Sequence, residues 1–281
     1  MTTTTASDTT APVRRVSAWH AFQVMTVRDL HVLRNDLPSF VTRVALQPAL
    51  FVLLFAYILP KLGGAGGITG STGASASTVL IPGLIGSTMI TAGLVAVTQP
   101  LVMELAYTRE IEDRLLAPIP TWHIGVQKIV SGAVQSLFAG LLVFALAYFV
   151  HAGGQGPDVT AGRLPLLVLM LVTAAILSAA LGMLAGTVVD PRKTATLFTV
   201  VIFPATFLGC VFYPWAALSS VRWLQVLSLL NPLVYVSEGL RAALTPQIPH
   251  LPAWAFLPAM TVGTAAVVWF ALRAFVRRVS A

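Results

Sequence analysis

Glu238 and Arg241 stand three residues apart in the segment Asn231–Arg241, NPLVYVSEGLR, within an otherwise apolar region. A carboxylate and a guanidinium at that spacing share one helix face and can pair. At bilayer depth each charge costs about 2.5–3.5 kcal/mol unless it is paired or in a wet cavity. Asn231-Pro232 opens the helix, because proline suits the first turn. The pair suits a structural tie, or part of a gate or exit for something that passes. Catalysis would ask for more, namely a nucleophile, a base and an orienting group that converge. The acids available for it, Glu238 with His250 and Glu104 with Asp190, make no such set. His20, His31, His123, His151 and His250 are scattered without metal-ligand spacing, and no GxxxxGK[ST] phosphate-binding loop occurs. Cys210 is the single cysteine. It excludes an internal disulfide and a cysteine metal site, and it reads as a small buried hydrophobe.

Two further segments carry charge in a pattern. Glu104–Lys128 reads ELAYTREIEDRLLAPIPTWHIGVQK. Glu110 and Arg114 stand four apart with the acid first, which supports a short helix, and Arg109 with Asp113 makes a reversed pair. Leu105, Leu115 and Leu116 offer an apolar face, and Pro118 and Pro120 stop the helix. Charge pattern alone fits either a solvated helix laced with ion pairs or a docking element for a soluble partner. The second segment, Ser17–Arg34, can form an amphipathic helix with Trp19, Phe22, Met25, Leu30 and Leu33 on one arc and Arg28 and His31 away from it. Asp29 intrudes on the apolar arc. The helix fits a membrane interface or a packed position on a neighbouring loop. In the fourth apolar run, Gly182 and Gly186 match a small-xxx-small pattern. Such matches arise by chance in a chain with 21 glycines.

These segments lie between long charge-free runs: Arg43 to Lys61, Lys61 to Glu104, Lys128 to Asp158, Arg163 to Asp190, Lys193 to Arg222 and Arg241 to Arg273. Crossing about 30 Å of hydrocarbon takes about 20 residues. The chain is 57% hydrophobic and 10% charged, against about 25% charged for a soluble domain. The expected fold is therefore all-α: a polytopic membrane protein with six spans, near Val44–Leu59, Thr78–Met103, Ile129–Val150, Leu164–Val189, Thr194–Phe212 and Trp254–Leu272. Tyr213–Pro252 is too broken by prolines and charges to cross, and is expected as a re-entrant hairpin of two short helices. Residues 1–16 are expected as a disordered tail without the apolar core of a signal peptide, and 17–281 as one membrane domain. The net charge of +7 does not indicate nucleic acid, because the basic residues form no patch. With both ends in the cytosol, 13 of the 17 lysines and arginines fall inside and 4 (Lys61, Arg163, Arg222 and Arg241) outside.

Four stretches give the order of parts a further meaning. They are Gln47-Pro48 with Leu54-Phe55-Ala56-Tyr57; Ile81-Pro82-Gly83; Arg109-Glu110 with Asp113-Arg114-Leu115-Leu116 and Pro118, running to Gln127-Lys128; and Asn231-Pro232-Leu233 with Glu238-Gly239-Leu240-Arg241. In this order the chain resembles the membrane subunit of an ATP-binding-cassette type 2 exporter, in the daunorubicin-resistance and multidrug permease branch. The resemblance covers nearly everything after the Thr-rich tail. It implies a transport subunit without enzymatic activity in a bacterial-type cytoplasmic membrane. Its partners would be a second copy or paralogue and separate cytosolic ATPase subunits that bind ATP and Mg. It implies a coupling helix that docks the ATPase at Thr108, Arg109, Glu110, Glu112, Asp113, Arg114, Leu115 and Leu116. It further implies an interfacial helix containing Trp19, Phe22, Arg28 and Asp29, and a re-entrant hairpin above the exit path containing Asn231, Pro232, Glu238 and Arg241. The implied cargo is a hydrophobic small molecule or a lipid leaving the cytoplasm, with a polysaccharide or lipid-linked glycan as the alternative. Aromatics at Phe203, Phe207, Phe212, Tyr213 and Trp215 do not decide between them. The loop Gly63–Ser77 has no assigned role and is too short for a large external domain. A membrane-embedded lipid-modifying enzyme lacks a convergent reactive set, and an ion-coupled carrier lacks an acidic relay in the spans.

Overall fold

A long apolar run in lipid leaves the backbone no water to bond with, so each N–H must find a carbonyl within its own helix. The regular elements of the computed structural model, which describes residues 18–58, 76–105, 120–149 and 160–280, are accordingly all helical. They are α1 (Ala18–Asn35), α2 (Leu37–Val52, continued by a π turn at Leu53–Ile58), α3 (Ala76–Met103), α4 (Thr121–Phe149) and α5 (Leu164–Val188). After these come α6 (Thr194–Leu197), a π turn at Phe198–Ile202, α7 (Phe203–Leu208), α8 (Arg222–Ser228), α9 (Pro232–Leu244) and α10 (Ala253–Ser280). By length and composition, five helices among the described residues are apolar and long enough to cross a membrane: Leu37–Phe55, Thr78–Met103, Thr121–Phe149, Ala161–Val188 and Ala253–Ser280.

Two boundaries differ from the charge-spacing reading. The first long helix starts at Leu37 instead of Val44, with proline in its first turn, so it carries Arg43 as an interior residue. The stretch Thr194–Phe212, expected as one crossing, is built from α6, a π turn and the short α7. Pro204 has no N–H to donate to the preceding turn, and a wide turn at Phe198–Ile202 accommodates that loss.

The helix α3 is the hub. It packs along α4, α5 and α9, while α10 lies against α5. Met89 and Leu101 of α3, Val143 of α4, and Met170 and Met183 of α5 are completely buried. Between apolar helices in lipid, close packing and a few interhelical hydrogen bonds replace the hydrophobic drive. The seam is built that way. Ser136 Oγ donates to Met89 O at 2.8 Å, Ser178 Oγ lies 3.0 Å from Ser136 Oγ, and Thr98 Oγ1 donates to Gly182 O at 2.9 Å. A Cβ at Gly182 would fall 2.7 Å from Leu94 O and 2.9 Å from Leu94 Cα, both backbone atoms that cannot step aside. At Gly186 it would meet Leu101 and the Cα of Thr98. The small-xxx-small pair is therefore the contact that lets α5 reach α3, and the reading of it as a chance match is corrected.

Candidate functional site

Asn231, Ser237, Glu238 and Arg241 hold one largely buried node. Asn231 caps α9, its Oδ1 accepting from Leu233 N at 3.1 Å while its Nδ2 donates to Ala205 O at 2.6 Å. One cap thus fixes where α9 starts and where it sits against α7. Two turns on, Ser237 Oγ donates to Gly209 O at 2.6 Å. Glu238 and Arg241 pair as their spacing predicts, and both are 0% exposed. The carboxylate also accepts from Trp215 N at 2.9 Å on Oε1 and from Leu251 N at 2.8 Å on Oε2. The guanidinium Nη2 donates to Cys210 O at 3.0 Å and Val79 O at 3.2 Å. Arg241 Nε is buried without a hydrogen-bond partner among the described residues.

Two buried charges are tolerable when they pair and their remaining valences are met. Here those valences gather four chain segments: the start of α3, the turn after α7, the strap at Trp215 and the approach to α10. The turn is unusual, since Cys210 adopts φ 53°, a left-handed conformation that few non-glycine residues take. Its carbonyl is held by Arg241. Its thiol is free and buried, as its sequence context suggests. Gly83 makes this approach possible, because a Cβ there would fall 2.6 Å from Val211 Cα.

A second group sits at the two ends of the charge-dense segment. Glu104 at its entrance and Lys128 at its exit form an ion pair at 2.6 Å. Beside it, Gln127 Nε2 donates to Asp29 Oδ2 at 2.6 Å, and Arg28 lies 3.5 Å from Asp29. The acid that spoiled the apolar arc of α1 is thus the residue that ties α1 to α4. Trp19 and Phe22 fall within α1. Thr108, Arg109, Glu110, Glu112, Asp113, Arg114, Leu115 and Leu116 lie outside the described residues.

The third feature is a cleft that spacing could not reveal. An apolar cavity of about 410 Å³ opens between α2, α3, α4 and the α6–α7 segment. An aromatic row borders it: Phe51 and Phe212 have centroids 5.7 Å apart, Phe212 and Phe207 5.6 Å, Phe207 and Phe203 5.1 Å. A more polar space of about 760 Å³ adjoins it toward Asp29, Glu104 and Lys128. Arg43, Gln135, Phe40, Val95 and Ala96 line both.

The side chains considered for catalysis are otherwise engaged. Glu238 is held as above. His250 Nδ1 sits 2.8 Å from Leu251 O, and Asp190 Oδ1 accepts from Arg192 N at 3.0 Å. Sequence reasoning missed Gln127 as a partner, although an acid on an apolar helix face was its signal. It also missed Trp215 N and Leu251 N, for which a one-dimensional pattern holds no sign.

Residues 20–245 match the model of a family described as ABC-2 type transporter. The chain is also 29% identical over 230 residues to the inner membrane transport permease YadH of Escherichia coli strain K12, covering 79% of this chain and 82% of that protein. The same identity and coverage hold for the permease of that name in Shigella flexneri.

Proposed function

Because the chain belongs to the ABC-2 type transporter family, we propose that it is the permease subunit of an ATP-driven exporter in a bacterial inner membrane. The observation that carries a transport reading over an enzymatic one is the contrast between its acids and its cleft. Glu238, Asp190 and Glu104 each answer a donor within the fold, so none stands ready as a base. The cleft instead offers an apolar, aromatic-bordered surface that adjoins a more polar space, which suits a path.

In this reading the α6–α7 segment completes a sixth crossing, and α8 with α9 forms a re-entrant hairpin before α10. Both termini then face the cytosol, which agrees with the positive-inside count. The segment 108–116 docks a separately encoded ATPase that binds ATP and Mg. The staple from Glu104 to Lys128 and the tie from Asp29 to Gln127 would make the ends of that segment rigid enough to pass its movement to α1, α3 and α4. Two permease copies, or this chain and a paralogue, would form the path. The apolar cleft favours a hydrophobic drug-like molecule or a lipid. The aromatic row from Phe51 to Phe203 favours the second reading, a glycan carried on a lipid, since sugar faces stack on aromatic rings.

The test is co-purification in mild detergent of the tagged chain with the ATPase expressed from a neighbouring gene. The expected result is an equimolar complex that Glu112→Lys or Arg114→Glu weakens while the permease stays folded. A chain that elutes alone, or both variants retaining the ATPase in full, would overturn the docking assignment.

A further inference from the structure

We propose that Arg43 is the recognition point for the anionic head of an amphipathic molecule whose apolar chain lies in the cleft between α2, α3 and α7, an inference that rests on the permease reading. The apolar and polar cavities share Arg43, Gln135 and Ala96. They adjoin at these side chains, a greasy space beside a wet one, and Arg43 borders both. The apolar end alone, at about 410 Å³, falls within the roughly 300–1,000 Å³ of small-molecule pockets.

Three of the four hydroxyls that line the apolar end, all but Thr88, are spent on the backbone of their own helix. Ser87 Oγ donates to Leu84 O at 3.1 Å, Thr91 Oγ1 to Ser87 O at 2.9 Å, and Thr206 Oγ1 to Ile202 O at 2.9 Å. What they leave facing the cleft is largely apolar and suits an alkyl chain. Where the two spaces adjoin the opposite holds. Arg28 lies beside Asp29 and Lys128 beside Glu104, so these cations are answered within the protein. Arg43 has no carboxylate within 4.0 Å among the described residues, Asp36 at the polar end included, and its nearest aromatic contact is Phe40, with the ring centroid 6.0 Å away. It sits about 9 Å along α2 from Leu37, at about 1.5 Å per residue. Gln47 follows one turn later on the same face and Gln135 stands on α4. A guanidinium presents a planar fork that matches phosphate or carboxylate with two parallel hydrogen bonds, and the two amides add donors to the lining of the same cavity.

The probes are an alkyl phosphate and an alkyl glucoside of the same chain length, with inorganic phosphate as a third arm. They are titrated against the full chain in phosphatidylcholine nanodiscs without ATPase, so the outcome is independent of ATPase docking. Wild type should bind the alkyl phosphate saturably and inorganic phosphate far more weakly. Arg43→Gln should lower alkyl phosphate affinity about tenfold or more, the scale of a lost charged hydrogen bond, and leave the glucoside unchanged. Arg43→Lys should recover part of the loss. Ala96→Phe, or Thr91→Trp if the first is not recovered folded, should fill the cleft and abolish binding of both alkyl probes. Equal affinity of wild type and Arg43→Gln for alkyl phosphate would overturn the proposal. So would inorganic phosphate binding as tightly as the amphipath, which would make Arg43 a surface anion site. A cleft-filling variant that breaks self-association but leaves amphipath binding intact would overturn it too, by making the cleft an interface between two copies.

Discussion

Replacing Glu238 with alanine strands Arg241 as a completely buried cation and removes the acceptor of two backbone donors, Trp215 N and Leu251 N. Breaking one side of a buried ion pair costs about 3–5 kcal/mol. Each orphaned N–H adds about 1–3 kcal/mol if no water reaches it, though these terms overlap and do not simply add. Even the lower figure is a large share of a typical folding free energy of about 5–15 kcal/mol. The damage should be local first, because the pair holds the turn at Cys210 and the strap at Trp215. The chain carries its own reporter. Cys210 is its single cysteine, and it is fully buried against the arginine that would be released. Labelling by a fluorogenic maleimide in detergent tracks how often this turn opens. At 1.4 kcal/mol per factor of ten, 3–5 kcal/mol predicts labelling faster by about 10²-fold to above 10³-fold. Glu238→Leu combined with Arg241→Leu removes both charges together, and should label far more slowly than Glu238→Ala. If Glu238→Ala labels at the wild-type rate, or the double variant labels as fast as the single, the ion pair does not hold the turn at Cys210.

Gly182→Ala should lower the melting temperature, with a cost of about 1–3 kcal/mol for overpacking, because the added methyl meets the backbone of Leu94. Gly263→Ala in α10 is its control: nothing lies within 4 Å of a Cβ there, so the change should be neutral or stabilising by about 0.5–1 kcal/mol. Asp29→Ala and Gln127→Ala should each loosen α1 by about 1 kcal/mol, read as several-fold faster hydrogen exchange confined to Ala18–Asn35. Unchanged exchange in both would show that other contacts hold α1 in place.

Charge-free runs marked the long helices because a lysine or arginine in lipid is costly enough to leave a trace in sequence. The Glu238–Arg241 pair and the Asn231-Pro232 start were legible for a local reason, since helix periodicity and capping act within four residues. What those charges bond to was not legible. The carboxylate finds N–H groups 23 and 13 residues away, and the guanidinium a carbonyl 162 residues away, and any residue type could supply them. Charge spacing misplaces the start of the first long helix because it treats a charge as a boundary, while Arg43 borders a cavity and is tolerated inside the helix. Asp29 looked like a flaw in an amphipathic face until α4 supplied Gln127. The helices α3 and α5 are apolar all round, so their sequences say that they are buried without saying which side meets which neighbour. Gly182 settles that only when Leu94 is seen opposite.

The π turn at Phe198–Ile202 holds its place just before Phe203 and Phe207, which border the cleft. A π turn contains about one residue more than the α turn it replaces. Tightening it to α geometry, with the turn at Cys210 still held by Arg241, would therefore turn α7 by about 100° around the helix axis, one residue's worth of rotation at 3.6 residues per turn. Phe203 and Phe207 would swing out of line with Phe212 and Phe51, although neither end of the segment had been pulled. The width of a single turn thus acts as a phase setting for the aromatic border, and two phases of one helix are two different walls for whatever the cleft holds.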